Sequence, residues 1–232
     1  MNIQEWKTRV ITYNEQLNEQ LQKNIVAKDL YYGFEVIDGK IIENPEILFI
    51  GINPGVGNGK RHHTVKFDSE RISYLDIYND DYRVDYEKGY HLAEKVIKFF
   101  KLLNWSDEKI IDLLENKAVR TNFYHIATDD GKEINKTVNY IKSGFHHSYF
   151  KKSAEFTIQL IDIIKPKLVI LEGKKVFDNI IVECCGENNL WKEDKFGDYF
   201  DKKLNTHFIG YDRKFSNENR AVFLNRLKNL LG

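Results

Sequence analysis

Four short runs constrain this chain more than anything else in it: Ile47-Leu48-Phe49-Ile50, Ala118-Val119-Arg120-Thr121-Asn122-Phe123, Leu168-Val169-Ile170-Leu171 and His207-Phe208-Ile209-Gly210-Tyr211. The first and third are unbroken apolar runs, which suit parallel strands buried on both faces, and the other two read as strands beside them. Between them the apolar spacing is helical. Trp6, Val10, Tyr13, Leu17 and Leu21 make an amphipathic opening helix over 4–22. Helical patterns return at about 88–103, 107–115 and 148–164, the last ending near Lys165 because Pro166 disfavours helix in the residue before it. A further helix follows Gly173, and a final one starts near Ser216 or Asn217 and presents Leu224, Leu227 and Leu231. Residues 56–86 read as a long, partly ordered loop. Strands alternating with helices predict a three-layer α/β/α sandwich around a central, mainly parallel four-stranded sheet. With no repeat, low-complexity tract or linker, residues 1–232 read as one domain, with 1–44 as a helical extension packed on it.

Composition removes several function classes. The 35 basic and 35 acidic residues cancel, which argues against non-specific coating of nucleic acid. Local contact stays open through two basic stretches, Lys60, Arg61 and Lys66, and Lys142, Lys151 and Lys152. No apolar run has the length of a bilayer span, so no membrane partner is expected. The opening MNIQEWKTRV lacks an apolar core and a cleavage site, and a cytoplasmic location is expected. Cys184 and Cys185 are adjacent and too few for an iron–sulfur cluster, so they read as reduced thiols. The pairs His62-His63 and His146-His147 lack the spacing of metal ligands, and no metal is expected.

In parallel sheets ligands bind beyond the carboxyl ends of the strands, which directs attention to the loops after Ile50, Phe123, Leu171 and Tyr211. Gly51-Ile52-Asn53-Pro54-Gly55-Val56-Gly57-Asn58-Gly59-Lys60 is the most informative of these. A phosphate-binding P-loop ending at Lys60 needs glycine where Pro54 stands and Ser or Thr where Arg61 stands. The dinucleotide fingerprint fails on glycine spacing. What remains is a turn stiffened by Pro54, with Gly51 and Gly55 allowing close backbone approach. Asn53 at its centre either orients a water through its carbonyl or closes an Asx-type turn on its own backbone.

Gly51-Ile52-Asn53-Pro54-Gly55 directly after an apolar strand resembles the first active-site motif of the mismatch-specific thymine/uracil branch of the uracil-DNA glycosylase superfamily. Arg120-Thr121-Asn122-Phe123 resembles that superfamily's second strand, and Lys165-Pro166 through Glu172-Gly173 its third. The resemblance covers roughly residues 45–230 and is specific at the first motif. It implies that Asn53 positions the attacking water, that Gly51, Ile52, Pro54 and Gly55 line the base pocket, and that Asn122 reads the Watson–Crick edge of a flipped base. It makes Phe67 the aromatic that stacks on that base, and Lys60, Arg61, Lys214 and Ser216 contacts to the nucleic-acid backbone. The second active-site motif departs from the pattern: a histidine or asparagine is usual where this chain reads Tyr211-Asp212-Arg213-Lys214-Phe215-Ser216. Arg213 is the residue there able to act as an electrostatic stabiliser. His207 lies earlier, inside the strand, and reads as a packed side chain.

The expectation is a monofunctional hydrolase that cleaves the N-glycosidic bond of a deaminated or damaged base such as uracil, in single-stranded or mismatched DNA. It implies no metal or organic cofactor, and leaves the oligomeric state open. Two rivals share the fold. One is a silent nucleic-acid- or nucleobase-binding module, and the other a hydrolase of free nucleosides.

Overall fold

The computed structural model describes residues 1–55, 61–78, 91–187, 190–191, 196–212 and 217–232. The four runs become β3 (Ile47–Gly51), β5 (Ala118–Asn122), β7 (Leu168–Leu171) and β9 (Thr206–Tyr211), and all pair in parallel in the order β5-β3-β7-β9. The sheet has six strands where four were expected. β2 (Ile37–Asp38) adds antiparallel to β5, and β8 (Phe196–Asp201) adds antiparallel to β9. Each closes an edge that would otherwise present unpaired backbone groups.

β3 and β7 are apolar throughout because both faces are covered. Leu48, Ile50, Val119, Val169, Leu171 and Phe208 pack beneath α1 (Ile3–Gln22), α6 (Phe145–Ile164) and α7 (Lys174–Cys185). Their alternates Ile47, Phe49, Ala118, Leu168, Ile170 and Ile209 pack beneath α3 (His91–Leu102), α4 (Asp107–Asn116) and α8 (Asn217–Leu231). That makes three layers. Among the described residues no helix is long and apolar enough to cross a membrane.

Local chemistry fixes the ends. Asn2 and Glu5 form a reciprocal capping box at the start of α1. Ser106 caps α4, and Lys165 adopts a left-handed conformation (φ 50°) that stops α6 just before Pro166. α1 is anchored by Trp6, fully buried, whose indole N–H donates to the Phe156 carbonyl at 3.0 Å. Against α7, the Phe177 ring lies over the cross-strand pair Gly197–Gly210. A Cβ on Gly197 would meet that ring at 2.4 Å, and one on Gly210 at 2.6 Å.

Two expectations change. Residues 1–44 hold more than helix: after α1 and the short α2 (Ile25–Lys28), β1 (Gly33–Glu35) leads straight into β2. β1 pairs with β4 (Val65–Lys66) and β6 (Ile126–Ala127) in a small second sheet. The stretch read as a loop is structured over 61–78. It carries β4 and a 3-10 helix (Ser73–Tyr78), and it buries Phe67, Ile72, Tyr74 and Leu75. Packing against the sheet orders it without any sequence period. α5 (Glu133–Asn139) was likewise not expected.

Candidate functional site at the carboxyl edge of the sheet

Gly51 pairs in register with Asn122, and the ladders Ile50–Leu171 and Leu171–Gly210 place Glu172 and Tyr211 in the same cross-strand row. Side chains alternate along a strand, so this row faces the same layer as Phe49, Ile170 and Ile209. It is polar and closed from solvent: Asn122 is 3% exposed, Glu172 1%, and Arg120, one pleat below, 4%.

Arg120 organises the row. Its Nη1 donates to Asp38 Oδ2 at 2.7 Å, and its Nη2 lies 3.7 Å from Glu172 Oε2. The guanidinium also sits over the Tyr74 ring, 4.7 Å from its centroid. Tyr74 donates its hydroxyl to Glu172 Oε1, while Ser73 gives both its backbone N–H and its hydroxyl to Asp38. Burial holds the Tyr74 phenol protonated far above its ordinary range, outweighing the opposing pull of Arg120. Buried charges persist only when paired, and among the described residues the Arg120 guanidinium faces both Asp38 and Glu172.

Gly51 permits the close approach at the centre of the row. A β-carbon there would lie 2.4 Å from Asn122 Oδ1, 3.1 Å from Glu172 Oε2 and 3.6 Å from Arg120 Nη2. Asn122 Oδ1 is fully buried and accepts no hydrogen bond from any described residue. An acceptor so placed costs roughly 1–3 kcal/mol unless a donor reaches it.

The loop after β3 is held by backbone and by Asn53. Phe123 N–H donates to the Gly51 carbonyl at 2.8 Å and Tyr124 N–H to the Ile52 carbonyl at 2.9 Å, which ties the loop to the segment leaving β5. The Asn53 side-chain amide donates to the Pro54 carbonyl at 3.0 Å, the Thr128 carbonyl at 3.3 Å and the Thr128 hydroxyl at 3.2 Å. Its Oδ1 faces Gly131. Of the two roles open to Asn53 in the sequence, these bonds describe the turn closure: its amide nitrogen ties the loop to Pro54 and Thr128.

The site residues expected from sequence divide into three groups. Gly51, Ile52, Asn53 and Pro54 come together with Asn122 at the strand ends. A Cβ on Gly55 would meet nothing within 4 Å among the described residues. Phe67 is corrected. Its ring packs edge-on against Trp6 at 6.0 Å and under the Lys7 ammonium at 4.1 Å, so it anchors the chain beneath α1 and offers no stacking face to loop 51–55. Arg61 is exposed and covers the Tyr32 ring at 4.8 Å, and Tyr32 in turn donates to Asp129, next to the Thr128 that holds Asn53. Lys60, Arg213, Lys214 and Ser216 lie outside the described residues.

His207 is a packed side chain, its Nε2 accepting from Arg226 Nη2 at 2.9 Å beside Asp198, at the opposite end of β9. Sequence reasoning missed Asp38, Tyr74, Arg120, Thr128 and Glu172. Two of these carried a signal: Arg120 interrupts an otherwise strand-like run, and Glu172 follows an apolar run at the position equivalent to Gly51. No protein-family model matches the chain, and no curated protein matches it in sequence.

Proposed function

We propose that this chain is a monofunctional, glycosylase-like hydrolase of the uracil-DNA glycosylase superfamily that removes a deaminated or damaged base from DNA. The observation that carries the reading is the Gly51–Asn122 contact: a buried amide with an unmet acceptor, beside a glycine, at the carboxyl edge of a parallel sheet. The target nucleotide leaves the base stack, because its glycosidic carbon is otherwise out of reach. The C1′–N bond breaks with oxocarbenium character, and water adds from the side of Asn53, whose Oδ1 accepts from it. Asparagine is no general base near neutral pH, so the rate rests on how well the departing base is accommodated by Asn122 and the backbone of Ile52 to Gly55. Arg213 is a further candidate for that role.

The experiment is base release from single-stranded and mismatched oligonucleotides carrying uracil, hypoxanthine or xanthine, for wild type and Asn53→Ala. Release that Asn53→Ala lowers by about 100-fold or more, with the fold intact, supports the reading. A second reading, a binding module without cleavage, draws on the commitment of the Asn53 amide to Pro54 and Thr128. Oligonucleotide binding with no release from any substrate would favour it.

A further inference from the structure

The basic stretch around Lys142 folds into a helical hairpin that flanks loop 51–55. Its first arm, α5, starts just after Gly131, where a Cβ would lie 3.5 Å from Asn53 Oδ1 and 3.6 Å from the Ile52 side chain. Its second arm, α6, sets the Phe150 ring 5.3 Å from that of Phe123, and Phe123 and Tyr124 give their N–H groups to Gly51 and Ile52. The arms are pinned at the turn between them. The His146 backbone N–H and Nδ1–H donate to Asn139 Oδ1 at 3.1 and 3.0 Å, and the His146 and His147 rings lie 3.9 Å apart.

Residues 134–154 hold four lysines, two histidines and no acid. Lys152 is committed to Glu155, which Arg9 also holds. Lys136, Lys142 and Lys151 are exposed and form no ion pair among the described residues. Spacing of four residues sets Lys136 and Tyr140 on one face of α5, and the exposed His147 and Lys151 on one face of α6. Tyr140 is 37% exposed, and its ring meets no other ring among the described residues. The first turn of α6 carries no acidic residue, so the positive end of its dipole adds to the same field. At the start of α5, Lys132 is outnumbered by Asp129, Asp130 and Glu133, and the positive surface begins one turn further in, at Lys136.

Exposed lysines around an exposed aromatic ring suit a single-stranded nucleic acid. The ammonium groups neutralise phosphates and release their counterions, while the ring gives an unpaired base a face to stack on. A duplex keeps its bases stacked inside and cannot use that ring. We infer that the outer face of the α5–α6 hairpin holds the sugar–phosphate backbone of a single strand beside loop 51–55, through Lys136, Lys142 and Lys151, with one base stacked on Tyr140. The inference rests on the reading above for the site the strand enters, and its test is a binding measurement that needs no cleavage.

The test is fluorescence anisotropy of a labelled single-stranded oligonucleotide with unmodified bases, titrated over a range of salt concentrations. Wild type is compared with Lys136→Gln/Lys142→Gln/Lys151→Gln, with Tyr140→Ala, and with Lys167→Gln/Lys202→Gln/Lys203→Gln, the same charge change at exposed positions on the opposite edge of the sheet. The hairpin variant should bind about tenfold more weakly or worse, with a slope of log affinity against log salt shallower by about 2, or about 0.7 per lost phosphate contact. Tyr140→Ala should bind about fivefold more weakly with its slope unchanged. The control should match wild type. Equal losses in the hairpin and control variants, or no binding by wild type at low salt, overturn the inference. A duplex of the same length bound as tightly as the single strand, or Tyr140→Ala bound like wild type, overturns the single-strand assignment. Binding that meets these expectations without base release from any substrate keeps the surface and overturns the glycosylase reading. Base release whose KM the hairpin variant leaves unchanged overturns the surface and keeps that reading.

Discussion

Beneath α1, Asn14 gives its amide to His125 Nδ1 at 3.0 Å and Tyr31 gives its hydroxyl to Asn18 at 2.7 Å; at the carboxyl edge of the sheet, Arg120 stands between two carboxylates and Asn122 Oδ1 accepts from no described residue. Both patches are buried, and in both an asparagine carbonyl lacks a donor. They differ in charge and in place. The first is neutral, sits under α1 beside the small second sheet, and uses its amide to hold the fold together. The second is ionic and lies in the one row where four parallel strands end together. Polar burial of the first kind specifies packing, whereas burial of the second kind holds charge at the strand ends, where parallel sheets bind their ligands.

The sharpest way to break that contrast is to remove the shared cation. Arg120→Ala removes the guanidinium that faces both Asp38 and Glu172, and urea unfolding should register a loss of about 3–5 kcal/mol. A loss under about 1 kcal/mol would mean that the row is not an ionic unit. The neutral patch should respond to acid instead. Burial pushes the His125 imidazole down to about 4. The folded state therefore refuses a proton that the unfolded chain accepts near 6.5, and stability should fall by roughly 3 kcal/mol between pH 6.5 and about 4, with no further loss from this group below that. His125→Gln should flatten that part of the pH–stability curve relative to wild type. The smallest effect separates an anchor from a site. Phe67→Leu should cost no more than about 1.5 kcal/mol and leave base release or nucleoside binding unchanged, measured on the same preparation.

Much of this architecture was legible because the central strands are buried on both faces. Leu168–Leu171 was recovered to the residue, and β3 and β5 differ from expectation by one residue at one end. β1, β2, β4 and β6 are two or three residues long, too short for any period, and exist only because a neighbour offers backbone partners. β8 reads Phe-Gly-Asp-Tyr-Phe-Asp, which has neither clean alternation nor an apolar run, as befits an edge. In the site, the glycine-asparagine-proline turn and Asn122 stood out by residue type at strand ends. Glu172 and Arg120 did not, because a charged residue in a strand is read as exposed until its partners, Tyr74 and Asp38, are brought from elsewhere in the chain. Phe67 was misplaced for the opposite reason: distance along the sequence says nothing about which side of β2 an aromatic ring will take.

Phe177 has a consequence for how the outermost strand finds its alignment. β8 and β9 each contain one glycine, at 197 and 210, and only one alignment sets them opposite each other under the ring. A slip by a single residue would flip every side chain of β8 and drive Asp198 or Phe196 toward a surface that has no room for a β-carbon. The ring therefore acts as a gauge. It lets the last strand dock in the correct frame and rejects the neighbouring ones, so the pairing of an otherwise weakly patterned edge is specified from the helix above it.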